Sequence, residues 1–408
     1  MINTIKQLDI GVKVVLLGIL IINVGNFMVI PFLSLYLGFI KNLPPAQVGL
    51  VLTVSVTFQY GLSFIGGVLS DKFGKKQMLV MGISSRSLGL LLYVFSDTLY
   101  LYMMASALIG IGQSFYTPSS KSIIASVPPE IKSEAFAIRS TAVNMGAAFG
   151  PILGGLLFKA TAAWVFFLSF IIHLVVLSLI IIWVKERKVR VNEQKRNRSI
   201  ISLMLTVIKD RRITSLMFIS SLFWFLFFQL NFTIPIFIRE TFNSTSLVSL
   251  LFTTNGVIVI LLQFRTIKWI TKKFRTFTIF LLGMLLMSFA FFVLGIFPAV
   301  FSLFVFIFLF TLGEMLFIPS SDTLASDLAE KDLLGGYLGL MTMGWAFGGI
   351  LGNTVGGYLY ENFSDFYSIN NLWILYSIIG ITISLFLLRI RRFLMGKTEE
   401  EESVRNYS

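Results

Sequence analysis

The chain is dominated by apolar blocks of about 20 residues, the length that a helix needs to cross the hydrocarbon core of a membrane. Hydrophobic residues make up 56% of the sequence, charged residues only 13%, and the mean hydropathy is +0.86. Soluble domains carry about 25% charged residues, so an ordinary soluble enzyme is excluded. The sequence predicts a polytopic, all-α membrane protein.

The apolar runs and the polar breaks between them predict twelve transmembrane helices. They lie near residues 12–38, 47–70, 77–96, 99–124, 135–158, 161–185, 213–239, 246–270, 275–297, 299–324, 333–359 and 370–392. Spans of this number use most of the 408 residues. No sizeable domain outside the membrane is therefore expected.

Lysine and arginine are distributed unevenly between alternate loops. The loops after odd-numbered spans hold only Lys41, Lys159 and Arg239, whereas the other loops and both tails hold nearly all the rest. Because basic loops stay in the cytoplasm, we expect cytoplasmic termini and a location in the cytoplasmic membrane. This topology explains the net charge of +13, so the expected partner is the lipid bilayer and not nucleic acid.

The chain is predicted to have four parts, and a basic stretch in its middle separates the two largest. Residues 185–212 carry ten basic residues. We predict an N-terminal six-helix bundle (1–185), a basic cytoplasmic linker (186–212), a C-terminal six-helix bundle (213–392) and a cytoplasmic tail (393–408). The linker is expected to be a solvated loop that lies against anionic headgroups.

The sequence contains no cysteine and a single histidine, His173, inside an apolar run. Disulfides, thiolate metal sites and cysteine nucleophiles are therefore excluded, and the redox compartment stays open. A histidine metal site or a Ser–His–Asp triad would have to be built on this one residue within the bilayer. We instead expect His173 to pack or to hydrogen-bond in its helix, and we expect no metal, no cofactor and no enzymatic activity.

A repeat relates the two halves of the chain. Three stretches recur in the same order: 112–120 as 313–321, 148–154 as 346–352, and, more weakly, Asn26 with Phe27 as Asn231 with Phe232. The first pair of stretches lies 201 residues apart, about half the chain length. The echoes predict two parallel, pseudo-symmetric six-helix bundles related by an axis along the membrane normal.

The loop after the second span reads GVLSDKFGKK, residues 67–76. Gly74 permits a tight turn, the lysines hold the loop on the cytoplasmic side, and Asp71 can accept hydrogen bonds from a neighbouring helix N-terminus. The pattern resembles motif A of the major facilitator superfamily, and the matching positions are Gly67, Asp71, Lys72, Gly74, Lys75 and Lys76. The resemblance implies that Asp71 is a gate residue, which latches the two halves in the outward-facing state.

The fifth span contains GAAFGPILGG, residues 146–155. Its glycines recur every four residues and leave one helix face bare for close contact, while the proline loosens the helix. The stretch is similar to motif C of the same superfamily, through Gly146, Gly150, Pro151, Gly154 and Gly155. Because motif C marks the exporting, proton-antiporting branches, the resemblance implies the direction of transport.

Ionisable residues inside a membrane are costly and are functional candidates by default. By the predicted spans, only Arg86 and Glu314 lie well inside helices. Glu314 lies near mid-depth of the tenth span, in a stretch that resembles proton-coupled multidrug exporters, and its repeat partner is the neutral Gln113. Burial favours the protonated carboxyl, so we expect Glu314 to carry the coupling proton. A glutamate held by a hydrogen bond, or paired with Arg86, is the alternative.

Several polar and aromatic residues are candidates to line a substrate cavity together with Glu314. They are Asn23, Asn26, Gln113, Tyr116, Trp224, Gln229 and Asn231. Taken singly, an asparagine or glutamine here is more often a hydrogen-bond former between helices. The 42 phenylalanines suit an amphipathic substrate, but phenylalanine is also an ordinary lipid-facing residue.

Taken together, these features predict a monomeric exporter in the drug:proton antiporter branch of the major facilitator superfamily. It would export small amphipathic compounds or drugs by alternating access, driven by protons, and so confer antibiotic resistance. A dedicated exporter of one metabolite, such as a siderophore or a sugar, is one alternative. A non-transporting membrane scaffold or a lipid-modifying enzyme is another, although no clustered set of catalytic polar groups is visible.

Overall fold

The computed structural model describes residues 6–185, 207–329, 333–366 and 368–395, apart from the side chains of 64, 65, 68, 71, 133, 334, 335, 364–366 and 395. Within these ranges the chain is helical and contains no strand. The long helices are α1 (Ile10–Leu35, continued by a π-helical turn at Tyr36–Ile40), α2 (Pro45–Gly61), α3 (Ser63–Phe73), α4 (Lys75–Phe95), α5 (Leu99–Ile124), α6 (Pro129–Ala160), α7 (Ala163–Trp183), α8 (Arg211–Gln229), α9 (Thr233–Phe242), α10 (Thr245–Ile270), α11 (Thr276–Ile296), α12 (Val300–Leu328), α13 (Leu334–Phe366) and α14 (Ile369–Met395).

Each predicted span coincides with one of these helices or with two consecutive ones. A helix satisfies its own backbone hydrogen bonds, which a segment surrounded by hydrocarbon must do. Among the described residues, nine helical segments are long and apolar enough to cross a membrane. The prediction of an all-α membrane protein is confirmed.

Two of the predicted spans are interrupted. The second consists of α2 and α3, which meet at Leu62, and the seventh consists of α8 and α9, separated by a turn at residues 230–232. Within that turn the backbone N–H of Asn231 donates to the carbonyl oxygen of Phe228 at 3.1 Å. Broken helices are tolerated in membranes when the freed backbone groups find such partners.

Local sequence explains where several helices begin and end. Pro45 and Pro129 occupy the first positions of α2 and α6, where a helix has no use for the missing N–H. Gly74 joins α3 to α4 with a φ of 107°, a conformation that only glycine adopts easily. Asn243 ends α9 with a φ of 50°, in the left-handed region that asparagine tolerates.

The described residues form two compact units. The first unit comprises those within Met1–Asn192, Phe228–Leu261 and Ile350–Asn362, and the second those within Glu193–Phe227, Leu262–Gly349 and Phe363–Ser408. The division into sequence halves at residues 185 and 213 is a different division, based on the repeat, and stays a prediction. Of the predicted linker and tail, residues 186–206 and 396–408 lie outside the described residues.

Helix packing in the first unit brings α1, α4 and α5 together with α6 and α7. There α1 packs on α6 and α7, and α4 packs on α5 and α7. A core of buried apolar side chains, which includes Ile19, Ile83, Ile124 and Val176, holds these helices. In the second unit α11 packs on both α12 and α14.

Candidate functional site

Arg86 is a buried cation at the crossing of α4 and α5. Its side chain is only 5% exposed. The guanidinium donates one hydrogen bond to Oε1 of Gln113 on α5 and another to Oδ1 of Asn26 on α1. Arg86 therefore connects three helices through neutral amide oxygens, and in the described part of the chain it forms no ion pair.

Two glycines allow α4 and α5 to come this close. A Cβ atom on Gly82 would lie 2.8 Å from the carbonyl oxygen of Gly112, and a Cβ on Gly112 would meet the side chain of Arg86. Real Cβ contacts are longer than this, so both positions need glycine. Small residues at such a crossing let the helix backbones touch.

Tyr116 and Arg139 complete this polar group. The Cζ atom of Arg86 lies 5.9 Å from the ring centroid of Tyr116, within the range of a cation–π interaction. Arg139 on α6 is half-buried and close enough to Tyr116 to interact with it electrostatically. The Tyr116 hydroxyl and the Nε atoms of both arginines are buried and have no hydrogen-bond partner among the described residues.

Arg139 did not appear among the charges predicted to lie well inside helices. It falls within the predicted fifth span, 135–158, but only four residues from its end, where a basic residue normally reaches the membrane surface. The helix actually begins at Pro129, so Arg139 lies almost three turns from its start. The position of a helix end, which sequence locates only approximately, concealed this residue.

Two polar residues of α1 and α7 bond within their own helices. Asn23 donates from Nδ2 to the carbonyl oxygen of Ile19 at 2.7 Å. His173 is fully buried, and its Nδ1 lies 2.8 Å from the carbonyl oxygen of Ser169. Because a carbonyl oxygen only accepts, Nδ1 carries the proton. The prediction that His173 hydrogen-bonds inside its helix is confirmed.

The second unit repeats the crossing of α4 and α5 with α11 and α12. A Cβ on Gly283 would lie 2.9 Å from the carbonyl oxygen of Gly313, as a Cβ on Gly82 would lie 2.8 Å from that of Gly112. Each of the two later glycines stands 201 residues after its counterpart. The repeat read from the sequence is therefore matched by a repeat in helix packing.

The two crossings carry different charges at matching positions. Met287 takes the place of Arg86, and its backbone nitrogen would lie 3.0 Å from a Cβ on Gly313. Glu314 takes the place of Gln113 and is half-buried near the middle of α12. The first unit thus has a cation and a neutral amide where the second has a thioether and a carboxylate.

The glycines of α6 and α13 define the register between the first and seventh spans. Gly150 packs against Phe27 on α1, and Gly348 packs in the same way against Trp224 on α8. Phe27 and Trp224 therefore occupy matching positions. The sequence instead matched Asn26 and Phe27 with Asn231 and Phe232. This alignment is wrong, because Asn231 lies in the turn that follows α8.

Trp224 belongs to an aromatic group in the second unit. Its ring centroid lies 5.0 Å from that of Phe227 and 5.5 Å from that of Trp345. Such edge-to-face pairs add stability beyond area burial. The two partners place Trp224 among aromatic rings.

Gln229 is buried between α8, α9 and α13. Its Nε2 donates to the carbonyl oxygen of Gly352, and its Oε1 accepts from the hydroxyl of Thr233, both at 3.0 Å. A fully buried amide engaged in this way is a hydrogen-bond former between helices, the alternative that the sequence left open for it.

The motif A residues surround the joint between α3 and α4. Gly67, Asp71 and Lys72 lie in α3, Gly74 forms the joint, and Lys75 and Lys76 open α4. The Nζ of Lys75 donates to the carbonyl oxygen of Ser122 at 3.1 Å, and that of Lys76 to the carbonyl oxygen of Ile181 at 2.7 Å. The lysines thus attach the joint to the ends of α5 and α7, whereas the Asp71 side chain lies outside the described residues.

The motif C glycines face two different helices. Along one side of α6, the residues that pack closely against α1 are Gly146, Gly150 and Gly154. Gly155 instead faces Ser249 on α10, and Pro151 lies inside the α6 helix. The bare face predicted from the glycine spacing therefore serves close helix contact.

Contacts between the two sequence halves occur inside the first unit. The hydroxyl oxygens of Thr53 on α2 and Thr354 on α13 lie 2.8 Å apart. The backbone N–H of Ala46 donates to Oε2 of Glu361 at 3.0 Å, so a carboxylate caps the start of α2. No signal in the sequence pointed to Glu361, because it lies 315 residues from its partner.

Comparisons with known proteins match most of the chain. The family model of the Major Facilitator Superfamily matches residues 15–277 and 230–406. The multidrug resistance protein MdtH of Yersinia enterocolitica is 25% identical over 376 residues, which cover 91% of this chain and 92% of the relative. The uncharacterized MFS-type transporter YqjV of Bacillus subtilis is 27% identical over 348 residues, or 84% of each chain.

Solved structures of transporters share the fold. A POT family transporter in complex with 5-aminolevulinic acid has a TM-score of 0.80 at 16% identity, covering 96% of this chain and 100% of that one. The nucleoside transporter NupG has a TM-score of 0.79 at 12% identity, covering 94% of this chain and 99% of that one. At these identities the likeness concerns the fold alone.

Proposed function

Since the chain belongs to the Major Facilitator Superfamily, we propose that it exports small amphipathic compounds or drugs in exchange for protons. A relative that aligns over nine-tenths of the chain is named a multidrug resistance protein. The observation that carries the proposal is the placement of Glu314. It is a half-buried carboxylate near the middle of a membrane-spanning helix, at a position where the repeat in the first unit has a neutral amide.

The glutamate supplies a proton site that the first unit lacks at the matching position. A carboxylate inside a membrane is costly when ionised, so a proton from the outside stabilises it. Release of that proton toward the cytoplasm restores the charge. A carboxyl group such as that of Glu314 can take up and release a proton, and the amide of Gln113 cannot. The coupling proton is therefore assigned to the second half of the chain.

Alternating access requires contacts that close one side and can break. The Thr53–Thr354 and Ala46–Glu361 hydrogen bonds join helices from the two sequence halves. By the distribution of lysine and arginine, these residues lie on the outer side of a cytoplasmic membrane. We therefore assign them to an outer gate that opens when the exported compound leaves, in a monomer with cytoplasmic termini whose activity confers drug resistance.

Efflux of fluorescent dyes from cells tests the proposal. Cells that express the chain should extrude amphipathic dyes, and a protonophore should abolish the extrusion. Glu314→Gln should abolish proton-driven efflux while the protein still reaches the membrane. The matched control is Glu130→Gln, the same change at an exposed carboxylate.

Full efflux by Glu314→Gln would refute the assignment of the coupling proton. Efflux confined to one compound of a broad panel would instead favour a dedicated metabolite exporter. No ligand-dependent change of any kind would favour a scaffold.

A further inference from the structure

The polar group around Arg86 has an excess of positive charge inside the first unit. Arg86 and Arg139 both approach Tyr116, and within the described residues neither arginine forms an ion pair. Arg86 and Tyr116 are each only 5% exposed. Two cations thus lie close to the same tyrosine, and no described residue forms an ion pair with either of them.

The neutral hydrogen-bond partners of Arg86 offset the cost of burying its charge only in part. A guanidinium has five N–H donors in a planar fork. The amide oxygens of Gln113 and Asn26 accept from its two terminal nitrogens, while Nε–H stays without a partner. Burying a cation is costly unless an anion with good geometry offsets the cost.

The donors that have no partner are suited to bind an oxyanion. The Nε–H of Arg86, which has no partner, and the second hydrogen of a terminal nitrogen are the kind of donor pair that binds the two oxygens of a carboxylate through parallel hydrogen bonds. The buried hydroxyl of Tyr116 and Nε of Arg139 add two more donors without partners. Two arginine Nε–H groups and a hydroxyl that can donate are complementary to an acceptor-only ligand.

The repeat shows that this charge is not an incidental feature of the helix crossing. The second unit builds the same Gly–Gly crossing with Met287 at the position of Arg86. Packing alone therefore does not demand a cation there. The position that carries Glu314 in the second unit is occupied in the first unit by the neutral Gln113. Gln113 therefore supplies no countercharge to Arg86.

We propose that Arg86, Tyr116 and Arg139 form a binding site for the carboxylate of an exported amphipathic compound. The site rests on the proposed export function and specifies a substrate class, organic monoanions with an apolar body. Ile83 and Ala142 belong to the buried apolar core that also contains Tyr116. The carboxylate displaces no internal ion pair, because none is formed by the described residues at this site.

A binding titration tests the site without any proton gradient. The probe is 11-(dansylamino)undecanoic acid, whose fluorescence rises on binding, added to the full chain in nanodiscs of zwitterionic lipid. The reference ligand is its methyl ester, which keeps the apolar body and lacks the charge. We expect saturable binding of the acid and at least about tenfold weaker binding of the ester.

Variants separate a specific site from partition into lipid. Arg86→Met, which installs the residue found in the second unit, should weaken binding of the acid about tenfold or more and leave binding of the ester unchanged. Tyr116→Phe removes only the hydroxyl and should weaken binding less, which keeps the test available if Arg86→Met does not fold. The control is Arg212→Met, the same change at an exposed arginine.

Equal binding of acid and ester by the unmodified protein would overturn the proposal, as would unchanged binding of the acid by both Arg86→Met and Tyr116→Phe. Displacement of the probe by inorganic phosphate as readily as by undecanoate would also overturn it, in favour of a small-anion site. These outcomes are independent of the efflux assay, since binding without proton-driven efflux would refute the proposed function alone.

Discussion

Gly49 on α2 lies directly against the backbone carbonyl oxygen of Asn353 on α13, with no space for a side chain between them. In the opposite direction, Gly357 of α13 lies against the carbonyl oxygen of Pro45, which a Cβ on Gly357 would approach to 2.7 Å. Two glycines thus let helices from opposite halves of the sequence touch over about one turn. Contacts made by bare backbone can separate without leaving a cavity or an exposed apolar side chain.

The hydroxyl pair beside this contact offers a clean covalent test of opening. The chain has no cysteine, so Thr53→Cys combined with Thr354→Cys introduces one defined pair. Because the two hydroxyl oxygens lie 2.8 Å apart, oxidation should form a disulfide that arrests efflux, and reduction should restore it. Gel mobility and dye efflux report the two effects.

The control for this pair moves one cysteine by a single helical turn. Thr57→Cys with Thr354→Cys keeps the chemistry and changes the distance, so little cross-linking is expected. A cross-linked Thr53–Thr354 pair that still transports at the normal rate would contradict the assignment of these helices to a gate.

Gly112 and Gly313 are expected to tolerate no larger side chain, because each faces the backbone of the neighbouring helix. Gly112→Ala or Gly313→Ala forces a methyl group into the facing helix, and overpacking of this kind lowers the free energy of unfolding by about 1–3 kcal/mol. Thermal unfolding of the purified protein measures the effect. Gly339→Ala is the control, because an added Cβ there meets nothing within 4 Å, and it should unfold at the same or a slightly higher temperature.

Asp71 is expected to influence the rate of transport and not its specificity. Asp71→Asn keeps the size of the side chain and removes its charge, so it should slow efflux of every dye by a similar factor. The comparison variant is Lys72→Gln, which removes a charge at the next position of the same helix and keeps Asp71. A change confined to one substrate would count against a gating role, since a gate acts on all cargo alike.

The Lys41–Asp97 ion pair should contribute little and only below strongly alkaline pH. Burial lowers the pKa of Lys41, but its 2.6 Å hydrogen bond to Asp97, helped by Tyr36 and Tyr102, outweighs this and raises the pKa above its usual value. A raised lysine pKa stabilises the folded state below the unfolded pKa of about 10.4 and loses that contribution as the pH rises further.

The size of this contribution follows from exposure. Asp97 is 81% exposed, and exposed pairs contribute about 0–1 kcal/mol. Lys41→Gln should therefore change the unfolding temperature only slightly at pH 7, and the difference from the unmodified chain should shrink above about pH 10.4. A large difference at pH 7, or one that grows as the pH rises, would contradict this account.

Local sequence determined the parts of this protein that depend on neighbours along the chain. Apolar length located the spans because hydrocarbon admits only segments that satisfy their own backbone. The recurrence of Gly112 as Gly313 revealed the repeat, since a close helix crossing demands glycine at both places. The family resemblance of motif A and motif C residues to the Major Facilitator Superfamily is confirmed by the match over most of the chain.

Tertiary structure alone decided which polar groups meet. The partners of Arg86 lie 27 and 60 residues away on other helices, and Glu361 reaches Ala46 across 315 residues. Periodicity and motifs cannot supply such pairs, because they depend on how helices cross and how far each extends. Arg139 shows the same limit, since its burial followed from where α6 begins. The transmembrane spans follow from a local solvent requirement, whereas the site follows from packing among distant segments.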